Sequence, residues 1–410
     1  MRPDATILVL NCGSSRVKAA WFRADAMLKL IGSGAVENVG SAQTRFWAKP
    51  AGGELVRDEA LEAVDHEGAI DLLLTHVETW ESTEAVAAVG HRVVHGGADF
   101  DRPCLVDDHL LDRLEGLTAL APMHLPQNLA GIAEVNIRWP GLPQVACFVT
   151  AFHRTLPAVA RMTGLPRELQ SQDIRRYGFH GLSYESILEN LTQQEGAVAA
   201  AGRIVVAHLG SGASMAALKG GESVDTTMGF STLGGLLMAT RCGDMDPGVL
   251  LYLLNENVVD LAEAQTLLYE KCGLLGVSGI SSDMRDLLKQ EQLPEARAAI
   301  DLFCYSARKH LAALTAVLGG LDRLVFTGGI GENAPGIRQR ICTDLAYLGI
   351  AVDPDRNQRQ ERTISAPESP VVVNVIPANE ELIIARHAYR LAIAPRSRTS
   401  ASQTPGSTAP

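Results

Sequence analysis

No stretch of this 410-residue chain approaches the roughly 18–20 consecutive apolar residues needed to span a bilayer, so no membrane role is expected. A signal peptide is not expected either. Arg2 precedes a short apolar run, but Asp4 interrupts it and Asn11 ends it, which suits a first strand better than a signal peptide. An excess of positive charge is also missing. The 36 Lys and Arg are outnumbered by 47 Asp and Glu, and the resulting net charge of −11 argues against a nucleic-acid partner, whose footprint is usually basic. It leaves room for an anionic ligand, because a few local Arg and Lys can bind phosphate on an acidic protein. The seven cysteines (Cys12, Cys104, Cys147, Cys242, Cys272, Cys304 and Cys342) are odd in number, scattered and without a C-x-x-C pair. They argue against a disulfide framework or a zinc site and for a reducing cytoplasm.

What is present starts with a composition normal for a globular protein, 46% hydrophobic and 20% charged. A chain of this length is expected to form two or three domains. Two segments almost two hundred positions apart look like copies of one device. The first runs Ile7-Leu8-Val9-Leu10-Asn11-Cys12-Gly13-Ser14-Ser15-Arg16-Val17-Lys18-Ala19-Ala20. The second runs Ile204-Val205-Val206-Ala207-His208-Leu209-Gly210-Ser211-Gly212-Ala213-Ser214-Met215-Ala216-Ala217. Each is an apolar β-type run, a polar residue, a turn of small residues and a returning apolar run. Small residues let backbone N–H groups and hydroxyls come close to an anion. One such hairpin reads as an ordinary turn in a sheet. Two in matching register read as the facing halves of a clamp for a polyphosphate in a duplicated protein.

The rest of the chain alternates strands and helices, which predicts an α/β layered protein. The opening is strand-rich to about Asn38, with strands at Ile7–Leu10, Val17–Phe22 and Gly32–Val36. A helix is expected over Asp65–Trp80 and a strand over Ala85–Val89, followed by a mixed segment that turns helical from Asp107. Another helix is expected over Asn128–Ile137 and a buried strand over Gln144–Phe148. Near residue 150 the character resets with a long polar segment. Beyond it come a helix at Ser183–Leu191, the second hairpin, a turn at Lys219–Glu222 into a strand at Ser223–Thr226, and helices at Pro247–Asn255 and Leu261–Tyr269. Helical spacing covers Glu295–Leu318. A strand at Leu324–Thr327 enters a Gly-rich turn, and Pro335 suits the first turn of a helix reaching Leu345. Val371–Ile376 is a further strand and Asn379–Leu391 a further helix. From Pro395 the Ser-, Thr-, Pro- and Ala-rich tail is expected to be disordered.

Five segments carry chemistry. Gly328-Gly329-Ile330-Gly331-Glu332-Asn333 follows a strand, where a nucleotide can lie against backbone, although the segment is neither a Walker A loop nor a G-x-G-x-x-G fingerprint. Arg92 beside His91 and Gly90, and Arg241 in Thr240-Arg241-Cys242-Gly243-Asp244, sit in glycine-flanked contexts. Arg can grip a carboxylate or a phosphoryl oxygen at two points, although a lone Arg is usually a surface charge. His180, in Tyr177-Gly178-Phe179-His180-Gly181, can donate to a transferring phosphoryl group or serve as a hydrogen-bonded structural residue. Asn379-Glu380-Glu381 suits a helix start, with Asn as N-cap and acids in the first turn. Its functional reading is a carboxylate that reaches the metal of a metal–nucleotide complex.

Together these segments resemble the acetokinase family, the acetate kinases and their propionate-using relatives. The resemblance runs to about Ala394. It is carried, in family order, by Asn11–Lys18, Gly90–Gly97, Thr150–His153, Arg175–Gly181, His208–Ser214, Val224–Pro247, Ser281–Arg285, Phe326–Asn333 and Asn379–Leu382. It implies an α/β fold of two duplicated actin-like (ribonuclease H-like) domains with a nucleotide cleft between them. The first would span 1–150, completed by the C-terminal helix 380–394. The second would span 151–379, with a disordered tail at 395–410. A homodimer is implied as well.

The resemblance also implies an ATP-dependent kinase giving acetyl phosphate and ADP from acetate, with propionate as a second substrate. Asn11 and Glu380 would help place Mg²⁺, with Mn²⁺ as the other candidate. Lys18, His208, Leu209, Gly210, Ser211, Gly212, Asp283, Met284, Arg285, Gly329, Ile330, Gly331, Glu332 and Asn333 would line the ATP site. Arg92 would hold the substrate carboxylate, and His180 and Arg241 would stabilise the transferring phosphoryl group. Val94, Met123 and Phe179 would form the pocket for the acyl tail. The chain departs from the family pattern at Val149, where an Asp with a catalytic role is usual, and at Arg16, where Ser is usual. Ser211 stands for Asn, and Ser231-Thr232-Leu233-Gly234-Gly235 for Thr-Pro-Leu-Glu-Gly. The alternative reading is therefore a nucleotide-binding pseudo-kinase of the same fold.

Overall fold

The computed structural model describes residues 5–13, 15–80, 86–170 and 173–394. Ser14 of the first hairpin, Ala85 at the start of the fourth expected strand, Ser171 and Gln172 of the polar segment, and the tail expected to be disordered from Pro395 lie outside these residues.

Two sheets form the frame. The first contains β1 (Thr6–Cys12), β2 (Arg16–Arg23), β3 (Leu30–Glu37), β4 (Arg45–Pro50), β5 (Arg57–Ala60), β6 (Val86–Val93), β7 (Cys104–Leu105) and β8 (Gln144–Phe148), in the order β5-β4-β3-β2-β1-β6-β8-β7. The second contains β9 (Ile204–Leu209), β10 (Ala213–Lys219), β11 (Glu222–Thr226), β12 (Arg323–Thr327) and β13 (Val372–Val375), in the order β11-β10-β9-β12-β13. The strands β3-β2-β1-β6-β8 repeat that second pattern. In both sheets the first two contacts are antiparallel and the last two parallel. The paired hairpins in the sequence are thus the same corner of two copies of one sheet. β8 and β12 are buried along their whole length, and β1 and β9 at all but one position each. Their near-continuous apolar sequence reflects helices covering both faces.

One apolar cluster includes residues of both sheets, such as Val93, Phe148, Val205 and Phe326, with Phe303 and Leu311 of the helix Pro294–Leu318. A second lies under the helix His66–Thr79 against Leu8, Leu10 and Trp21, and a third under Gly181–Glu195 against Val206 and Val325. The last helix, Glu380–Ala388, follows the second sheet in sequence but packs on β1, β6 and β8 of the first. Gly90 makes that possible, since a Cβ there would lie 2.5 Å from Ile384 Cγ2. Buried Asn128, on the helix Leu125–Arg138, accepts from Val94 N at 2.9 Å and donates to the Cys12 carbonyl at 2.8 Å. It ties the ends of β1 and β6, which carry Asn11 and Arg92.

Several local expectations need correction. The strand-rich opening does not end at Asn38; β4 and β5 continue it as a short polar edge. The Gly-rich segment after β12 is itself a helix, Gly328–Asn333, and a second helix, Pro335–Cys342, follows after a break at Ala334 and stops short of Leu345. The helix expected over Leu261–Tyr269 is α-helical only to Thr266 and continues as a π-helical turn, Leu267–Lys271. The helix expected from Asn128 starts at Leu125, because Pro126 fits its first turn.

Candidate active site

A cleft of about 880 Å³ opens between the two sheets. From the first half it is lined by Asn11, Arg16, Lys18 and Arg92, and from the second by His180, His208, the turn Gly210–Gly212, Asp283–Arg285, and Gly328–Ile330 with Glu332 and Asn333. Ala378, Glu380 and Glu381 close one end. Hairpin register explains part of this convergence. Asn11 pairs directly with Lys18, and His208 with Ser214, so each turn presents polar side chains at its mouth. Leu209 and Gly331, also expected at the ATP site, are buried and outside the lining.

Arg92 and Glu380 come from sequence positions 288 apart and pair at 3.0 Å, each side chain about one-fifth exposed. Arg241 lies beneath the second turn, where its Nη1 donates to the Thr232 carbonyl at 2.8 Å. A Cβ at Gly212 would lie 2.8 Å from Arg241 Nη2 and 3.4 Å from His180 Nε2. Only glycine at 212 lets both groups reach the turn. Burial lowers the pKa of the Arg241 guanidinium.

His180 and His208 stack with ring centroids 4.2 Å apart at 22°. His180 Nδ1 lies 2.8 Å from Ser214 Oγ, and His208 Nδ1 lies 2.8 Å from Ser183 Oγ. Burial pushes the His180 pKa well below the usual imidazole range, and His208, Arg92 and Arg241 push it further. Burial also lowers His208, against the opposing pull of Glu380. The pair is therefore neutral, and His180 is a hydrogen-bonding group rather than a cation.

Glu332 lines the cleft, but its carboxylate faces backbone, accepting from Gly328 N at 2.9 Å and Ala378 N at 3.3 Å. Asn333 Nδ2 donates to the Gly329 carbonyl at 2.9 Å. Fully buried Arg338 donates to the carbonyls of Gly331 and Glu332 and to Asn357, and burial lowers its pKa to about 10. The Gly-rich helix is thus held from behind and open in front, where a Cβ at Gly329 would meet nothing. Asp283 caps the helix Met284–Lys289 and pairs with exposed Arg285.

Beside the cleft, Val94, Met123 and Phe179 line a tight pocket with Leu120, Ala121, Pro122, His124, Thr232 and Tyr269. Its free volume is about 10 Å³, close to the room for one water. His124 and Tyr269 escaped the reading of the sequence. Burial holds the His124 pKa down at about 4, with Arg241 and Arg92 adding to the shift, and burial raises that of Tyr269 against the opposing pull of Arg241. The position of His124 next to Met123 was the one available hint. Val149 lies in neither lining. Its side chain is 1% exposed within the main apolar cluster, and its carbonyl accepts from Gly181 N at 2.9 Å, one residue beyond His180.

Among the described residues no group of three or more His, Cys, Asp or Glu could hold a metal ion. The cleft instead offers Asn11 and Glu380, a sparse oxygen set that suits a hard cation sharing its shell with water and phosphate. No helix among the described residues is long and apolar enough to cross a membrane, and none of the seven cysteines is in a disulfide.

Over residues 6–386 the chain matches the profile of the Acetokinase family. The acetate kinase of Rhodopseudomonas palustris is 48% identical over 392 residues, covering 94% of this chain and 98% of that protein. A solved propionate kinase from Francisella tularensis subsp. tularensis has a TM-score of 0.88 at 36% identity, covering 94% of this chain and 100% of its own. The acetate kinase structure from Porphyromonas gingivalis has a TM-score of 0.85 at 35% identity, covering 94% and 99%.

The buried imidazoles predict a pH dependence. His91, His95, His124 and His153 are each lowered to about 4, chiefly by burial. An unfolded chain would protonate them near pH 6.5, where the native state does not. Stability should be full above about pH 6.5 and fall as pH drops toward 4, because the unfolded state then binds more protons. Urea unfolding at several pH values should show the decline; a flat profile across that window would refute it.

Proposed function

The chain belongs to the acetokinase family, and from that premise we propose that it transfers the γ-phosphoryl group of ATP reversibly to acetate, giving acetyl phosphate and ADP. The observation carrying this reading is the meeting of Arg92, His180 and Arg241 where the Gly210–Gly212 turn adjoins the tight apolar pocket. In the proposed reaction a carboxylate oxygen attacks the γ-phosphorus, and the bond to the β–γ bridging oxygen breaks as ADP leaves. The carboxylate is already ionised at pH 7 and needs no general base. Positioning and charge stabilisation dominate such a transfer. Arg92 is free to grip the carboxylate when Glu380 turns to a cation, since each now satisfies the other. Arg241 offers fixed positive charge, and His180 a neutral donor. Mg²⁺, or Mn²⁺ as second choice, would be held by Asn11 and Glu380. When bound, the cation would offset the negative charge of the phosphates.

The tight pocket favours acetate over longer acids. A hydroxamate assay across acetate, propionate and butyrate should show kcat/KM falling by about tenfold or more per added methylene. Arg92→Ala should raise the KM for acid and leave that for ATP nearly unchanged. Equal effects on both substrates, or a preference for butyrate, would contradict the assignment.

Val149 supports the second reading, a nucleotide-binding protein without transfer chemistry, because an apolar side chain stands where the family pattern has Asp. The kinase reading is preferred because the Val149 carbonyl still holds the backbone beside His180. Val149→Asp should raise kcat, and a gain of about tenfold corresponds to about 1.4 kcal/mol of transition-state stabilisation. A carboxylate buried without a partner is costly, so Tm must be followed alongside. A folded, nucleotide-binding variant with no gain would mean the site has been re-tuned around Val149. Absence of acyl phosphate from the parent chain would establish the second reading.

We further propose a homodimer. The helix Pro247–Asn255 reads Pro-Gly-Val-Leu-Leu-Tyr-Leu-Leu-Asn yet buries none of its residues. Leu251 and Tyr252 on it are both more than half exposed. An apolar patch of this kind marks an interaction surface. Sedimentation should give twice the chain mass, and Leu251→Glu should give the monomer; a monomeric parent chain would exclude the proposal.

A further inference from the structure

His180 is a non-glycine residue with left-handed backbone, φ 58°, directly before the helix Gly181–Glu195. Such residues are uncommon, and they persist where surrounding contacts over-determine them. Here the contacts converge on one hydroxyl. Ser214 Oγ lies 2.8 Å from His180 Nδ1, and the Tyr184 hydroxyl makes a short contact with the same oxygen. Ser214 and Tyr184 are both 0% exposed, so no solvent competes for these bonds.

A proton inventory orients the chain. Burial pushes the Tyr184 phenol far above its usual pKa, so it keeps its proton and must donate it. Thr226 Oγ1, whose own proton goes to the Met215 carbonyl at 2.9 Å, could also accept, but the hydrogen bond the Tyr184 hydroxyl makes is the short one to Ser214 Oγ, and the phenol proton is assigned there. Donation from Tyr184 to Ser214 leaves the Ser214 proton one imidazole acceptor, His180 Nδ1. The ring must then carry its proton on Nε2, the atom next to the Gly212 turn and Arg241. The opposite tautomer would aim an Nε2 lone pair at incoming phosphoryl oxygens, which repel it. A second proton on the ring is ruled out by burial and by the flanking His208, Arg92 and Arg241.

We propose that Tyr184 and Ser214 form a hydroxyl chain that fixes His180 as the Nε2–H tautomer, making both of them positioning residues for phosphoryl transfer. The proposal rests on the kinase reading for its catalytic consequence, and on the hydrogen-bond geometry with the burial of these groups for the tautomer. It gives the second Gly-Ser hairpin a further role. Its turn brings backbone close to the nucleotide cleft, and its returning strand carries the residue that sets the donor. Ser214 stands directly opposite His208 in the β9–β10 register, so the hairpin supplies one stacked ring and orients the other.

The test uses the full chain labelled with ring-¹⁵N histidine. Nitrogen shifts are read with Mg-ADP bound, and His180 is assigned by the signal lost in His180→Gln. The parent chain should show His180 protonated at Nε2. Ser214→Ala should shift it toward Nδ1 protonation or a mixture, and Tyr184→Phe should do so more weakly. Ser214→Ala should lower kcat by up to about 10²-fold, the low end of the loss of one preorganised donor, because the ring itself remains. The KM values for ATP and acid should stay within about twofold if only the transition state is affected. Ser214→Thr, which restores the hydroxyl, should recover most of the rate. Nδ1 protonation in the parent chain would overturn the proposal, and so would unchanged tautomer and rate in Ser214→Ala. If the parent chain makes no acyl phosphate, the kinase reading fails, while the nitrogen shifts still decide the tautomer. If Ser214→Ala fails to fold, Tyr184→Phe carries both readouts.

Discussion

A Cβ at position 212 would lie 2.8 Å from Arg241 Nη2 and push the guanidinium aside, and the arrangement of the site follows from that close approach. Arg241 arrives from one loop and His180 from the residue before a helix, and both press against the same point of the second hairpin. A side chain there would move the guanidinium outward and break the contact between the turn and the groups that face it. The hairpin therefore acts as a template. It lets backbone approach an anion from one side and holds a cation and an imidazole against it on the other. The first hairpin answers with Asn11 and Lys18 paired across its strands. The fold needs both copies because each sheet supplies only half of the surroundings a polyphosphate requires.

Charge balance in the cleft depends on long-range pairing. Arg92 and Glu380 meet because the last helix leaves the second sheet and returns to the first, where Gly90 admits it. Ion pairs of this kind contribute modestly to stability when partly exposed. Their value in the proposed reaction is readiness, since each partner can exchange the other for a ligand of opposite charge. The imidazoles solve the opposite problem. They are part-buried at the cleft wall, and guanidinium groups flank His180; their pKa values are lowered, which keeps total positive charge low while leaving N–H donors in place.

The Gly-rich helix shows how a flexible sequence is made rigid. Its front has no side chains to block a ligand, so its support comes from behind. Glu332 folds back onto the Gly328 and Ala378 N–H groups, and Arg338 fills the space beneath with hydrogen bonds to carbonyls and to Asn357. A buried guanidinium is costly unless its N–H groups are satisfied. Nη1 donates to two carbonyls, and Nε and Nη2 donate to Asn357. The same groups that meet this demand hold the helix in place.

The sequence by itself determined whatever depends on short range. The apolar runs fixed β1, β9 and β12, because buried central strands need side chains suited to both faces. The matching Gly-Ser turns revealed the duplication, and Asn379 marked the start of the last helix through its bond to Leu382 N. The family motifs, each a compact string, pointed to Arg92, His180 and the glycine-rich turns, which line one cleft, and to Arg241, which lies against the second of the paired turns. Tertiary structure decided what depends on distant segments meeting. Nothing near Glu332 foretold that its carboxylate faces backbone, nor did the Gly-rich string announce a helix, since glycine disfavours one until Arg338 and Glu332 support it. His124, Tyr269, Tyr184 and Ser214 carry no local signal, as their roles arise only where separate loops, a helix and a strand pack around the same arginines and the same imidazole. Val149 shows both sides of this division. Its departure from the pattern is plain in the sequence, but its remaining contribution, a carbonyl that holds the backbone beside His180, exists only in the folded chain.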